Sequence, residues 1–140
     1  MLKNVPTVLS PELLKTLDEM GHGDEIVIGD GNFPSGNLGP KVIRADGLGG
    51  KALLDAILTM IPLDTYAPSN FLLMNTTNGD PTPTIWKDYK TIANEHDPNV
   101  HIEMLERYDF YERAKKAYAI IQTSESAVYA NIILKKGVVH

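Results

Sequence analysis

The feature of this sequence that most restricts its fold is an alternation of short apolar runs with segments of helical period. Apolar residues recur at helical spacing over 11–20, 53–61, 83–92 and 108–117. The runs between these segments predict short strands at 25–28, 41–44, 71–74, 102–105, 118–122 and 129–135. Such alternation is typical of α/β proteins, in which helices cover both faces of a largely parallel sheet. The sequence therefore predicts a three-layer α/β sandwich with a mainly parallel, mixed sheet.

The first helix has the clearest ends. Ser10 can cap free backbone N–H groups, and Pro11 suits the first helical position, where its missing donor costs nothing. Gly21 is expected to end this helix in the left-handed conformation that a C-terminal cap often requires. Residues 30–39 are rich in Gly, Asn, Ser and Pro, so they predict a loop.

Composition excludes several classes of protein. Thirteen Lys and Arg residues against 18 Asp and Glu give a net charge of −5, which argues against nucleic-acid and anionic-membrane partners. The absence of cysteine excludes a disulfide scaffold, a thiolate metal site and a cysteine nucleophile. Neither a signal peptide nor a membrane span of about 20 apolar residues is expected. The 140 residues show no linker and predict a single soluble domain over 1–140.

Motifs for cofactor and metal binding are weak or missing. Gly47-Leu48-Gly49-Gly50 precedes a predicted helix and resembles a phosphate cradle, but without the full spacing a flexible helix entry is the favoured interpretation. His96 and His101 are five residues apart, whereas metal ligands on one helical face lie three or four apart. We therefore expect no metal and no cofactor.

His22 is the histidine with the most distinctive setting, because glycines flank it on both sides. Two glycines allow a sharp backbone turn and leave the imidazole unobstructed. Imidazole titrates near neutral pH, so His22 is a candidate proton donor or acceptor. The alternative is a structural role, in which His22 hydrogen-bonds the last carbonyls of the first helix.

Candidate ligand-binding residues follow or precede predicted strands. Asp30 comes after the strand at 25–28 and Arg107 after the strand at 102–105, where ligands bind in open α/β sheets. Tyr129, Ala130 and Asn131 offer a phenol, backbone groups and an amide for hydroxyl groups of a ligand. Each has a structural alternative: an Asx-type turn, a surface salt bridge or a strand start. The residues alone suit a proton-transfer isomerase or a binding protein without chemistry.

At these residues the chain resembles the RbsD/FucU family of sugar mutarotases, specifically its L-fucose mutarotase branch. The resemblance covers 9–138. Its segments are LSPELLKTLDEMGHGDEIVIGD at 9–30, NFPSGNLGPKVIRADG at 32–47, LDTYAP at 63–68, FYERAKKAYAII at 110–121 and YANIILKKGVV at 129–139.

The resemblance implies an RbsD-like fold and an isomerase that interconverts the α and β anomers of a monosaccharide without a cofactor. It implies His22 as the catalytic proton donor, and Asp30, Arg107 and the 129–131 run as sugar-binding positions. It also implies a cytoplasmic homodecamer of two stacked pentameric rings, with sites at subunit contacts. Asp30 and a water are the candidates for the base.

The branch is indicated by the block at 42–47, which ribose members typically lack, so L-fucose is the expected substrate. Asn32 stands where members of the fucose branch have either His or Asn. Two alternatives stay open: a ribose-type pyranase, and a non-catalytic sugar-binding accessory of a transport system.

One geometric conflict follows from the predicted strand at 25–28. His22 and Asp30 are eight residues apart across it, which is about 26 Å when extended at about 3.3 Å per residue. The two side chains can share a site only if the glycine loop folds back or if two subunits contribute.

Overall fold

The computed structural model describes residues 1–140 and contains one six-stranded sheet between two layers of helices. None of the helices combines the length and apolar character needed to cross a bilayer. The strands are β1 (Glu25–Gly29), β2 (Lys41–Ala45), β3 (Phe71–Met74), β4 (Ile102–Leu105), β5 (Ala119–Thr123) and β6 (Ile132–Lys135). The helices are α1 (Pro11–Glu19), α2 (Ser35–Leu38), α3 (Gly50–Met60), α4 (Ile85–His96) and α5 (Arg107–Lys115).

The sheet has the strand order β2-β5-β1-β6-β3-β4. β5 pairs in parallel with β1 and β2, and β3 pairs in parallel with β4. β6 runs antiparallel to both of its neighbours, β1 and β3. All strands except β6 therefore point the same way, and their carboxyl ends meet at one edge. The predicted mainly parallel, mixed sheet is confirmed.

Two apolar clusters lie on opposite faces of the sheet. The larger one packs α1, α3 and α4 against alternate strand residues such as Ile26 and Ile121. The smaller one packs α2 and α5 against the intervening residues, such as Val27 and Ile120. All five residues of β1 are buried, because this central strand is covered from both sides. The three-layer arrangement follows from this division.

Several element ends differ from the predictions. Gly21 does not take the expected left-handed conformation. α1 ends on an extended Met20, and the glycine with a positive φ, of 86°, is Gly23. The predicted loop at 30–39 contains the short helix α2, which carries no helical apolar repeat in the sequence.

The predicted strand at 129–135 begins three residues late, at Ile132. Tyr129 has a φ of 54°, which a β-strand does not accommodate. The turn that results places Tyr129 and Asn131 at the carboxyl-end edge of the sheet instead of within it.

Candidate active site

A cavity of about 790 Å³ opens at the edge where the parallel strands end. β1 leads into Asp30, β4 leads towards Arg107, and Tyr129 and Asn131 precede β6. The sheet thus brings together four of the residues that the sequence nominated for ligand binding. Further walls come from Phe33, Met74, Thr77, Tyr111, Val128 and the segment 80–84.

Asp30 has a carboxyl group that is both buried and hydrogen-bonded. Its Oδ1 accepts the N–H of Asn32 at 2.9 Å, and its own N–H donates to Oδ1 of Asn131 at 2.7 Å. Burial raises the pKa of Asp30, and hydrogen bonds from the backbone of Asn32 and Ala130 and from the Asn131 side chain oppose that rise. The Asx-type turn is present, and Asp30 also lines the cavity, so the turn does not exclude contact with a ligand.

A buried polar network below Asp30 was missed by sequence reasoning. Gln122, at the end of β5, donates from Nε2 to the carbonyl of Asp30 at 2.8 Å and accepts the hydroxyl of Ser35. Thr123 donates to the carbonyl of Gly29 at 2.7 Å. The sequence signal that could have indicated this network is the polar pair Gln122 and Thr123 at the end of an otherwise apolar strand. The network fixes the backbone from which Asp30 projects.

Tyr129 has its phenol group held by the segment that forms the rim of the cavity. Its hydroxyl donates to Oδ2 of Asp80 at 2.5 Å and lies 3.1 Å from Oγ1 of Thr77. Neither Asp80 nor Thr77 was singled out from the sequence, in which 75–83 is a polar segment typical of a turn. Ala130, also nominated from the sequence, is buried and does not line the cavity, because its N–H hydrogen-bonds the carboxyl of Asp30 and its carbonyl accepts the hydroxyl of Tyr89.

Arg107 is free of the surface salt bridge considered as its alternative. Its guanidinium lies 5.5 Å from the ring centres of both Tyr108 and Tyr111, and its Nε donates to the Tyr111 hydroxyl at 3.2 Å. Glu106 instead caps α5 by accepting the N–H of Tyr108 at 2.8 Å. The charge at the mouth of the cavity is therefore available to a ligand.

An apolar wall faces these polar groups. The rings of Phe110 and Tyr111 each pack edge-on against Phe33 at a centroid distance of 5.8 Å. Phe33 and Tyr111 both line the cavity, together with Met74. The cavity therefore combines polar groups with an aromatic wall.

His22 lies outside this cavity, at the opposite edge of the sheet, because it precedes the amino end of β1. Its side chain is 45% exposed, and its ring lies 5.0 Å from that of Tyr66. One chain alone therefore does not bring His22 to Asp30. The folding back of the glycine loop, one of the two expected solutions, is wrong.

The structural alternative for His22 is also wrong. The ring does not bind the last carbonyls of α1, because Lys136 Nζ donates to the carbonyls of Leu17 and Met20 at 2.7 and 2.5 Å. Instead, Nε2 of His22 lies 2.9 Å from Oδ1 of Asp64. The imidazole is thus held by a carboxyl group that sequence reasoning did not nominate.

Asp64 is almost completely buried, with its side chain 4% exposed. Burial favours the neutral acid, but hydrogen bonds from the N–H groups of Tyr66 and Ala67 and from His22 hold the pKa of Asp64 below its ordinary value. An ionised carboxylate can only accept, so His22 must present Nε2–H to it. Nδ1 is then the ring atom left to carry or receive a proton.

The glycine motif at 47–50 is a helix entry and not a phosphate cradle. Glu125 occupies the start of α3, where its Oε1 accepts the N–H of Gly50 at 3.0 Å. His96 Nε2 lies 2.6 Å from Oδ1 of Asp55, and no group of three or more His, Cys, Asp or Glu side chains converges on a metal-sized site.

Comparison with known proteins assigns the chain to a family. The model described as the RbsD / FucU transport protein family matches residues 3–139, and the chain belongs to this family. The family predicted from the sequence is thereby confirmed. Fucose mutarotase from Mus musculus is 51% identical over 144 residues, covering 97% of this chain and 94% of that protein.

Solved structures agree with this assignment. The fucose mutarotase from Streptococcus pneumoniae, crystallised in complex with L-fucose, is 53% identical with a TM-score of 0.95, covering 99% of this chain and 100% of that chain. RbsD from Bacillus subtilis, complexed with D-ribose, shares the fold with a TM-score of 0.77 at 24% identity, with both chains fully covered.

The raised pKa of Asp30 predicts that Asp30→Asn stabilises the folded chain at neutral pH. A carboxyl whose folded pKa is raised loses stability as the pH rises above its unfolded pKa, so a neutral amide removes that cost. We expect a higher urea midpoint than in the unmodified protein at pH 7, and a smaller gain at pH 4.

Asp46→Asn is the matched control, because Asp46 is an exposed carboxyl paired with Arg44 at 2.6 Å and its pKa is lowered. This substitution should not raise the midpoint at pH 7. A gain for Asp30→Asn that is larger at pH 4 than at pH 7 would contradict the assigned direction.

Proposed function

We propose that this protein is an L-fucose mutarotase, an isomerase that interconverts the α and β anomers of the free sugar. The observation that carries the proposal is the cavity at the carboxyl edge, seen in a chain that matches the L-fucose complex of the Streptococcus pneumoniae enzyme over 99% of its length. Asp30, Arg107, Tyr129 and Asn131 supply donors and acceptors for the sugar hydroxyls.

Mutarotation needs two proton transfers and no oxidation. A proton is placed on the ring oxygen while another leaves the anomeric hydroxyl, and the carbon–oxygen bond of the ring breaks to give the open aldehyde. Rotation presents the other face of the carbonyl, and closure returns both protons. General acid–base catalysis of this kind contributes about 10²–10⁴-fold.

His22 is the proton donor in this scheme. The carboxylate of Asp64 holds Nε2–H at 2.9 Å, which fixes the ring orientation and leaves Nδ1 to act on the sugar. Because Asp64 is buried and held by two backbone N–H groups, the pair behaves as one rigid unit.

Asp30 is the base in this scheme. Of the two carboxyl groups that line the cavity, Asp80 is engaged by the phenol of Tyr129, which leaves Asp30 as the candidate base. The raised pKa of Asp30 makes its carboxylate a stronger proton acceptor. Asn131 fixes its backbone, and Arg107 steadies the neighbouring hydroxyls.

The remaining requirement is that His22 and Asp30 meet. Their positions at opposite ends of β1 support a site shared by two subunits, in which a neighbour supplies His22 to the cavity. We place this site in a cytoplasmic homodecamer of two pentameric rings, as the family resemblance implies. The mass in solution, measured by light scattering, tests the assembly.

The aromatic wall supports L-fucose over D-ribose. The methyl group of a 6-deoxy sugar would pack on Phe33 and Tyr111, whereas ribose offers no such group. One methyl-sized contact discriminates by about 1–3 kcal/mol, so related sugars should react slowly and not be excluded.

Saturation-transfer NMR on free sugars tests the proposed function directly. We expect the protein to accelerate exchange between the anomer signals of L-fucose more than those of D-ribose. Equal or faster exchange of ribose would favour a pyranase. Exchange of neither sugar, with binding retained, would favour a non-catalytic binding protein.

His22→Gln tests the proton donor. The amide keeps a hydrogen bond to Asp64 but cannot give a proton at neutral pH, so L-fucose exchange should slow by about 10²–10⁴-fold while sugar affinity stays similar. His96→Gln is the matched control, because His96 also pairs with a carboxyl, Asp55, but has no part in the proposed mechanism. An unchanged rate in His22→Gln would falsify the catalytic role.

A further inference from the structure

Tyr129 adopts a backbone conformation that its own side chain disfavours. Three non-glycine residues have positive φ, and the other two, Asn4 and Asn78, are of the type that tolerates it. A bulky aromatic residue at a φ of 54° is strained, and it persists only where surrounding contacts determine it. The contacts that hold this residue therefore set the shape of the site.

Two side chains of α4 hold the backbone of this turn from below. The indole Nε1 of Trp86 donates to the carbonyl of Tyr129 at 2.7 Å, and the hydroxyl of Tyr89 donates to the carbonyl of Ala130 at 3.0 Å. Trp86 and Tyr89 are one helical turn apart, so they share one face of α4. Both are buried, at 7% and 0% exposure.

These two bonds orient the groups that meet the ligand. In a trans peptide the carbonyl and the N–H point in opposite directions, and the chain has no cis peptide. With the carbonyl of Tyr129 directed at Trp86, the N–H of Ala130 is directed at the carboxyl of Asp30, to which it is hydrogen-bonded. The carbonyl of Ala130, held by Tyr89, similarly fixes the peptide that leads into Asn131.

We propose that Trp86 and Tyr89 are positioning residues for the sugar site, which hold the turn at 129–131 in its strained conformation so that Tyr129 and Asn131 face the ligand. The proposal rests on the proposed function only for the identity of the ligand, L-fucose. It also gives a role to Gly50, which the ligand site leaves unexplained. A Cβ at Gly50 would collide with the hydroxyl of Tyr89, so a glycine there leaves that hydroxyl room to reach Ala130.

Trp86→Phe and Tyr89→Phe remove one donor each and keep an aromatic ring in the core. Each variant loses the hydrogen bond that holds a buried carbonyl of the turn and keeps the turn in its strained conformation. The turn should therefore relax, and the affinity of the site for the sugar should fall. For each variant we expect KM for anomer exchange, and Kd for L-fucose by calorimetry, to rise about tenfold. The value of kcat should stay within about twofold, because the bonds act on binding and not on proton transfer.

Ile57→Val is the matched control for a purely structural effect. Ile57 is a fully buried residue of α3 whose side chain makes no hydrogen bond to the turn. Its substitution should lower the melting temperature and leave KM and Kd unchanged. If Trp86→Phe and Tyr89→Phe behave like this control, the two residues only fill the core and the proposal is overturned.

The outcomes separate this proposal from the proposed function. If the unmodified protein binds L-fucose without exchanging its anomers, the mutarotase assignment fails, and the Kd values of the two variants still decide the positioning role. If Trp86→Phe does not fold, Tyr89→Phe, which removes a single oxygen atom, decides it. An unchanged Kd in Tyr89→Phe then overturns the proposal.

Discussion

The direction of the central strand β1 is the constraint on which the rest of the site depends. The strand is extended and is held between β5 and β6, so its two ends stay apart. Its amino end carries the loop with His22, and its carboxyl end carries Asp30. The chain therefore presents the proposed proton donor at one edge of the sheet and the proposed sugar cavity at the other. Assembly of subunits is what joins the two halves in the proposed mechanism.

Each half of the site is held rigid by buried polar contacts. On the donor side, Asp64 fixes one nitrogen of His22 and is itself fixed by backbone N–H groups. On the cavity side, Gln122 in β5 and Asn131 in the turn before β6 hold the backbone of Asp30. Preorganisation of this kind means that the groups need not rearrange when the sugar binds. The two sides share no contact within one chain, so their relative placement depends on the interface.

The sequence predicted the features that follow from local pattern and missed those that follow from tertiary contacts. Apolar runs located the strands, and strand order then gathered Asp30 and Arg107 at one edge, as the rule for parallel strands requires. Asn131 joins them because it precedes the antiparallel β6. The strand predicted at 129–135 began late because the conformation of Tyr129 is set by side chains distant in sequence. Asp64 was missed for a similar reason, since its partner His22 lies 42 residues away. The family resemblance supplied the roles of the site residues that no pattern could give.

Subunit complementation tests the central claim most directly. His22→Gln and Asp30→Asn chains, each inactive alone, are unfolded together and refolded so that they assemble at random. If the site combines His22 of one chain with Asp30 of another, some sites contain both natural residues, and about a quarter of the unmodified activity returns. Activity no greater than the sum of the two parent proteins would show that each site is formed within a single chain, and would contradict the account.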